Sequence, residues 1–253
     1  MALVVLFGAM TFVGCEGRPD SAEPAGYDAA GVSAMIERAK RTPDVEKRGV
    51  LWQEVMAAAR ADSDDDRKAR RHLHDAMEQL AALRESQGRR MEADQLRQRR
   101  RQSQEAAIAR DPGDGFSRGQ LAYELGLERR FDIGWQLLLE GVERTDPTDY
   151  DENALLHYAS TLPALQLRHG GTTARTAAIR RQLQLTEGLL KRARTRKVSK
   201  EHEARLLYAT ASGHVSLAQW DEAERHAVAC ERLQPGDAEI LKLLNLIKAG
   251  RKN

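Results

Sequence analysis

The sequence predicts an all-α protein. Its mix of Ala, Leu, Glu, Arg and Gln favours helices, whereas Val and Ile are sparse. No stretch alternates apolar and polar residues in the way a half-buried strand does. Pro and Gly cluster at a few points and divide the chain into segments of helical length. At 253 residues, the chain is long enough for one large domain or for an extended array of small units.

The composition limits both the core and the partners. Hydrophobic residues make up 41% of the chain but aromatic residues only 5%, so Ala and Leu must supply most of the packing. The 40 Lys and Arg residues nearly balance the 38 Asp and Glu residues, which predicts no binding to nucleic acid. The basic runs at 97–102 and 191–197 lack the interleaved aromatic residues that stack on bases. Only two cysteines are present, which excludes a disulfide framework.

The chain begins with an apolar segment, residues 2–13, that is too short to span a bilayer. A cysteine, Cys15, stands at its end, and polar residues rich in Pro and Gly come after it. The sequence Phe12-Val13-Gly14-Cys15 resembles the lipobox of bacterial lipoproteins. The resemblance implies that residues 1–14 are a signal peptide and that Cys15 carries the lipid. An uncleaved anchor or a buried first helix is the alternative.

The residues after the cysteine predict a location. Residues 15–28 have the composition of a flexible tether. By the same resemblance, an Asp after the lipidated cysteine favours retention in the inner membrane, and this chain has Glu16 there. The expected location is therefore the bacterial envelope, on the periplasmic face of the outer membrane.

Helical periodicity begins at Ala29 and predicts degenerate helical hairpins over residues 29–110. The sequences RTPD, DSDDD and RDPGDG, together with Gly88, separate the helices. The acidic run has the alternation of a calcium loop, but Arg67 and Leu73 stand where that loop needs Gly and Glu. We interpret the run as a helix N-terminus, with Ser63 as a candidate cap.

Residues 111–253 contain a recurring pattern. Three prolines, Pro112, Pro147 and Pro235, each come after the end of a predicted helix, and the first two are 35 residues apart. Residues 204–237 resemble a tetratricopeptide repeat, with Ala211, Ala223 and Pro235 at matching positions. Residues 114–148 form a looser copy. The resemblance implies antiparallel helix-turn-helix repeats stacked as a right-handed α-solenoid.

Two further features of the sequence, one residue and one segment, extend this prediction. In the looser copy, Gly134 takes the position at which two helices approach closely. Beyond the last repeat, the sequence DAEILKLLNLIKAG is apolar on more than half of its helical circumference. This last helix either folds back on the array or presents a surface to a partner.

The sequence contains few candidates for chemistry. His226 and Cys230 are four residues apart and would share a helix face, but no third metal ligand is near them in sequence. Cys230 as a nucleophile would lack an evident orienting group. No phosphate-binding glycine loop and no nucleophile elbow is present. We therefore predict no enzyme, no metal site and no cofactor.

The resemblance implies a protein-binding scaffold that is held at the membrane by its lipid and assists the assembly of an envelope complex. A partner peptide would lie in the groove formed by the first helix of each repeat. One alternative is a protein that binds the cell wall or regulates a cell-wall enzyme. Another is a cytoplasmic adaptor of the same repeat family. The partner and the oligomeric state stay open. The groove-facing candidates are Ser117, Leu121, Arg205, Tyr208 and Ser212.

Overall fold

The computed structural model describes residues 27–60, 62–63, 66–146, 148–196 and 198–252. These residues form ten helices and no strand, which confirms the all-α prediction. The lipid-attachment candidate Cys15 and the turn proline Pro147 lie outside the described residues. The helices are α1 (Ala29–Arg41), α2 (Val45–Arg60), α3 (Arg67–Ser86), α4 (Arg90–Arg110), α5 (Gly115–Leu127), α6 (Phe131–Arg144), α7 (Asp149–Arg194), α8 (Lys200–Ser216), α9 (Trp220–Leu233) and α10 (Ala238–Gly250).

The chain divides into two compact units between Arg97 and Gln98, inside α4. The prediction placed this division after residue 110. Polar contacts join the C-terminal half of α4 to α5. Arg100 lies 2.8 Å from the carboxylate of Glu124, and both side chains are largely buried. The last helix predicted for the first segment therefore contributes half of its length to the second unit.

In the first unit, α1, α2 and α3 enclose an apolar core. Trp52 is 2% exposed in this core, and aliphatic residues from all three helices surround it. Two residues of the predicted tether belong to this fold as well. The hydroxyl of Tyr27 lies 2.6 Å from Nδ1 of His72, and the Asp28 carboxylate accepts a hydrogen bond from Gly31 N at the start of α1. The cap of α3 is Asp66, whereas the predicted cap Ser63 donates its hydroxyl to Arg60 O instead.

The second unit consists of helices that follow one another as hairpins. Turns of three residues join α5 to α6 and α8 to α9, so the helices of each pair are antiparallel neighbours. The 46-residue α7 is itself a hairpin, because Gly171 leaves the helical region with φ 69° and ψ −164°. This confirms the predicted break at Gly170-Gly171. The two arms of α7 are residues 149–170 and 172–194.

The last helix, α10, folds back onto the second unit. Ile240, Leu243 and Ile247 are buried, and Leu243 and Ile247 pack in a cluster with Ala211 and Ala223 of the preceding hairpin. This confirms the first of the two alternatives for the last helix, namely that it folds back on the preceding helices. In the part of the chain that is described, no helix has the length and apolar content needed to cross a bilayer.

One buried carboxylate connects several helices of the second unit. Glu152, in the first arm of α7, has no exposed side-chain surface. Its Oε2 lies 2.7 Å from Nε2 of His202 on α8 and accepts a hydrogen bond from Arg196 in the loop before α8. Its Oε1 lies 3.4 Å from Nε of Arg192, in the second arm of α7. Arg192 also donates to Thr145 O at 2.8 Å, just beyond the end of α6.

We expect Glu152→Gln to lower the free energy of unfolding by about 3 kcal/mol, because the substitution leaves Arg192 and Arg196 without their buried counter-charge. Urea denaturation followed by circular dichroism measures the change. The matched control is Glu105→Gln, which removes an exposed pair with Arg101 and is expected to cost below about 0.5 kcal/mol. Equal losses in the two variants would contradict the role that we assign to Glu152.

Candidate interaction surface and histidine cluster

The structure places the groove candidates on α5 in the interior. Ser117 is fully buried, and its backbone N and its hydroxyl both donate to the Asp114 carboxylate, which caps α5. Leu121 is 7% exposed. Neither side chain offers surface to a partner, so the prediction for these two residues is corrected. The physical reason is that α5 is covered by α4, α6 and the first arm of α7, which bury most of its residues.

The three candidates on α8 are only partly buried. Arg205, Tyr208 and Ser212 each keep some exposed surface. Tyr208 packs against both the core and the cluster beneath α10, and burial raises the pKa of its hydroxyl. A hydrogen bond with Ser212 acts against that shift. The α8 candidates therefore lie at the edge of the hydrophobic core.

The predicted packing positions lie at close approaches and turns. A Cβ on Gly134 would lie 2.8 Å from Ala122 O, so α6 crosses directly over the backbone of α5. Ala211 and Ala223, which face each other between α8 and α9, have no exposed surface. Pro112 and Pro235 are exposed in the turns after α4 and α9.

Aromatic side chains converge where α5 lies against the first arm of α7. Phe116 has its ring centroid 6.4 Å from that of Tyr150 and 6.3 Å from that of Tyr158. Tyr123 lies 6.1 Å from Tyr158, and His157 meets Tyr158 edge-on at 5.1 Å. We call these five residues the aromatic face. It holds four of the twelve Phe, Tyr and Trp residues in the chain.

The aromatic face depends on helical spacing and on a glycine. Phe116 and Tyr123 are seven residues apart, as are Tyr150 and His157, so each pair lies on one side of its helix after two turns. A Cβ on Gly119 would lie 2.3 Å from Cδ2 of Tyr158, so only glycine lets this ring rest on the backbone of α5.

All five rings of the aromatic face keep part of their surface in solvent, and Tyr150 is 37% exposed. Partly exposed, clustered tyrosines are typical of protein interfaces, because each combines a large apolar area with a polar tip. The sequence contained the spacing that could have revealed this face. It did not show that α5 packs on the first arm of α7, which brings the two pairs together.

Cys230 has the surroundings of a packing residue. It is 1% exposed, and its thiol donates to Ala204 O at 3.2 Å. Burial raises the pKa of the thiol to about 11, so the thiolate that a nucleophile requires is not formed at neutral pH. The surroundings of Cys230 are therefore those of a residue that fills space between α8 and α9.

His226 instead meets residues that the sequence analysis did not connect to it. Its ring stacks on that of His214, with 5.5 Å between centroids and 7° between planes. Glu222 precedes His226 by one turn of α9, and the potential ligand atoms of His214, Glu222 and His226 all lie within 4.8 Å of one another. We call these three residues the His–Glu cluster. In the sequence, the spacing of four residues from Glu222 to His226 was the feature that indicated that these two side chains share a helix face.

The environment of each histidine sets its protonation. Nδ1 of His214 lies 2.8 Å from Oε1 of Gln219, an arrangement in which Nδ1 carries the proton and Nε2 keeps its lone pair. Burial, the neighbouring His214 and the cations Arg225 and Arg194 lower the pKa of His226 to about 4. The ring of His226 is therefore a neutral imidazole at neutral pH.

Comparison with known proteins adds no assignment to this geometry, because the chain matches no protein-family model and no curated protein.

We expect His226 to stay neutral down to about pH 4 in the folded protein, against 6.5 for an unperturbed histidine. Its folded pKa is lower than its unfolded pKa, so the unfolded chain binds more protons between these values. The contribution of His226 to stability is therefore complete above pH 6.5 and falls as the pH falls towards 4. An NMR titration of the imidazole protons measures this pKa, and a value near 6.5 would contradict the burial of the ring.

Proposed function

We propose that this chain is a non-enzymatic scaffold that binds a segment of another protein on its aromatic face. The observation that carries the proposal is the concentration of partly exposed rings on two packed helices, in a chain with 5% aromatic residues. Rings that served only the core would be covered, as Trp135 is at 1% exposure. The successive hairpins of the second unit support the same function, because they give such a face a rigid frame.

The chemistry of the aromatic face favours a cationic segment. The faces of tyrosine and phenylalanine rings attract the guanidinium of Arg and the ammonium of Lys. Asp146, which is exposed, and Asp149, which is half-buried, both precede Tyr150 and add negative charge at the start of α7. The partner that fits is therefore a peptide segment that carries Arg or Lys beside an apolar residue.

The prediction of a membrane anchor forms part of this proposal. Two or three acyl chains at Cys15 would hold the scaffold at the envelope, since each buried methylene contributes about 0.8 kcal/mol. Residues 16–26 would then separate the lipid from the first unit. The repeat family and the right-handed solenoid also remain proposals, supported by the motifs in residues 204–237.

The anchor is tested by palmitate labelling in bacterial cells that express the full chain. We expect labelled protein from the wild type and none from Cys15→Ser. The control is Cys230→Ser, which should keep the label because Cys230 is buried between helices. Label that persists in Cys15→Ser would contradict the assignment of the lipid to this residue.

The aromatic face is tested by a photo-crosslinking amino acid placed at Tyr150. We expect a protein adduct from this position and none from Ile133 on α6, which is 47% exposed and serves as the control. Once the crosslinked segment is identified, Tyr150→Ala should weaken its binding at least tenfold, which is the size of effect that a central interface residue has.

Three results would contradict this proposal. The first is equal crosslinking from Tyr150 and Ile133, and the second is an adduct that contains peptidoglycan and no protein. The third is hydrolysis of peptidoglycan by the purified chain alone. The last two would favour the cell-wall alternative.

A further inference from the structure

The His–Glu cluster has the composition of a transition-metal site. Two imidazoles and one carboxylate are the protein ligands of many zinc centres that keep a fourth position open. His214 lies on α8, whereas Glu222 and His226 lie on successive turns of α9. Within the described parts of the chain, it is the one group of three or more His, Cys, Asp or Glu residues that comes this close together.

A second observation points to a ligand. The side chain of His214 is only 9% exposed, and its Nε2 is buried without a hydrogen-bond partner. The carboxylate of Glu187 lies 3.6 Å away, which is beyond hydrogen-bonding distance. A buried polar atom without a partner is costly in free energy, so such an atom normally has a bonding role. Because Gln219 holds Nδ1, the unpartnered nitrogen is also the one with the lone pair.

The geometry is close to that of a bound state. Nitrogen and oxygen ligands at about 2.0–2.1 Å from a tetrahedral Zn²⁺ lie about 3.3 Å from one another. The potential ligand atoms here lie within 4.8 Å of one another, so side-chain movements of about 1 Å suffice. The two rings would have to tilt away from their parallel stack. Glu222 also forms an exposed ion pair with Arg225, which is weak and easily exchanged.

Two carboxylates lie beside the histidine rings, those of Glu187 and Glu222. They would offset the charge of a bound divalent cation, which would also satisfy His214 Nε2. Arg194 and Arg225 add positive charge near His226, so the carboxylates must act as ligands or close neighbours of the ion. Imidazole and carboxylate ligands favour Zn²⁺ and its neighbours in the transition series over Ca²⁺ or Mg²⁺.

We propose that His214, Glu222 and His226 bind one Zn²⁺ ion, which joins α8 to α9 and stabilises the last hairpin. Water or Glu187 completes the coordination. The proposed role of the ion is to hold α8 against α9. The proposal is independent of the function assigned to the aromatic face.

The test is a titration of the purified, metal-free full chain with Zn²⁺, read by calorimetry and by thermal unfolding. We expect one ion per chain and a Tm that rises by about 5 °C or more at a hundredfold excess over Kd. Addition of EDTA should reverse the rise. Co²⁺, used as a spectroscopic probe, should show the visible absorption of a four-coordinate ion.

Three variants locate the ion. His226→Gln and Glu222→Gln should each weaken Zn²⁺ binding at least tenfold and abolish the Co²⁺ absorption. Glu222 is only half-buried, so Glu222→Gln should keep the metal-free Tm of the wild type and separates loss of the site from loss of the fold. The control, His169→Gln, removes an exposed imidazole from α7 and should leave both readouts unchanged.

Saturable binding of one ion that requires Glu222 and His226 but not His169 supports the site. The proposal is overturned if the wild type binds no Zn²⁺ below about 1 mM. It is also overturned if Glu222→Gln and His226→Gln bind the ion as tightly as the wild type does. In that case the stacked histidines are packing residues only.

Discussion

The second unit depends on how the carboxylate of Glu152 is neutralised in its interior. A lone ionised carboxylate cannot be buried at acceptable cost, so two guanidinium groups and an imidazole must arrive from elsewhere in the chain. Their positions tie the first arm of α7 to its second arm and to α8, and Arg192 extends the connection to the end of α6. Such a network adds little net stability compared with apolar packing. Its effect is to specify one alignment of these helices.

The packing of the second unit also requires close contact between helices, because aromatic residues are scarce. With Ala and Leu as the main core residues, helices must approach closely to leave no space between them. Gly134 brings α6 against the backbone of α5, and Gly119 lets Tyr158 rest on α5. Of the rings in the second unit, Trp135 is fully enclosed and four are gathered in the aromatic face. Phe131, Tyr208 and Trp220 are partly buried against the core clusters.

The helical class and the break at Gly171 could be predicted because both depend on local chemistry. The site could be predicted only in part. Ser117 and Leu121 were expected to face a groove, but α4, α6 and α7 all pack on α5, and the periodicity of α5 alone does not show how many neighbours it has. His226 was paired with Cys230 because they are near in sequence, whereas His214, across a turn, is its neighbour in space. The aromatic face likewise needs the packing of α5 on α7, which one sequence does not contain.

The Glu152 network also imposes an order on assembly. His202 comes 50 residues after Glu152, so the carboxylate leaves the ribosome well before its last partner. At about 5–20 residues per second, the interval is about 3–10 s. During this time the first arm of α7 cannot be enclosed with its charge satisfied, and it must remain hydrated. The hairpin formed by the two arms of α7 is therefore completed only when α8 has begun to leave the ribosome. This makes the folding of α7 and of the α8–α9 hairpin cooperative during synthesis.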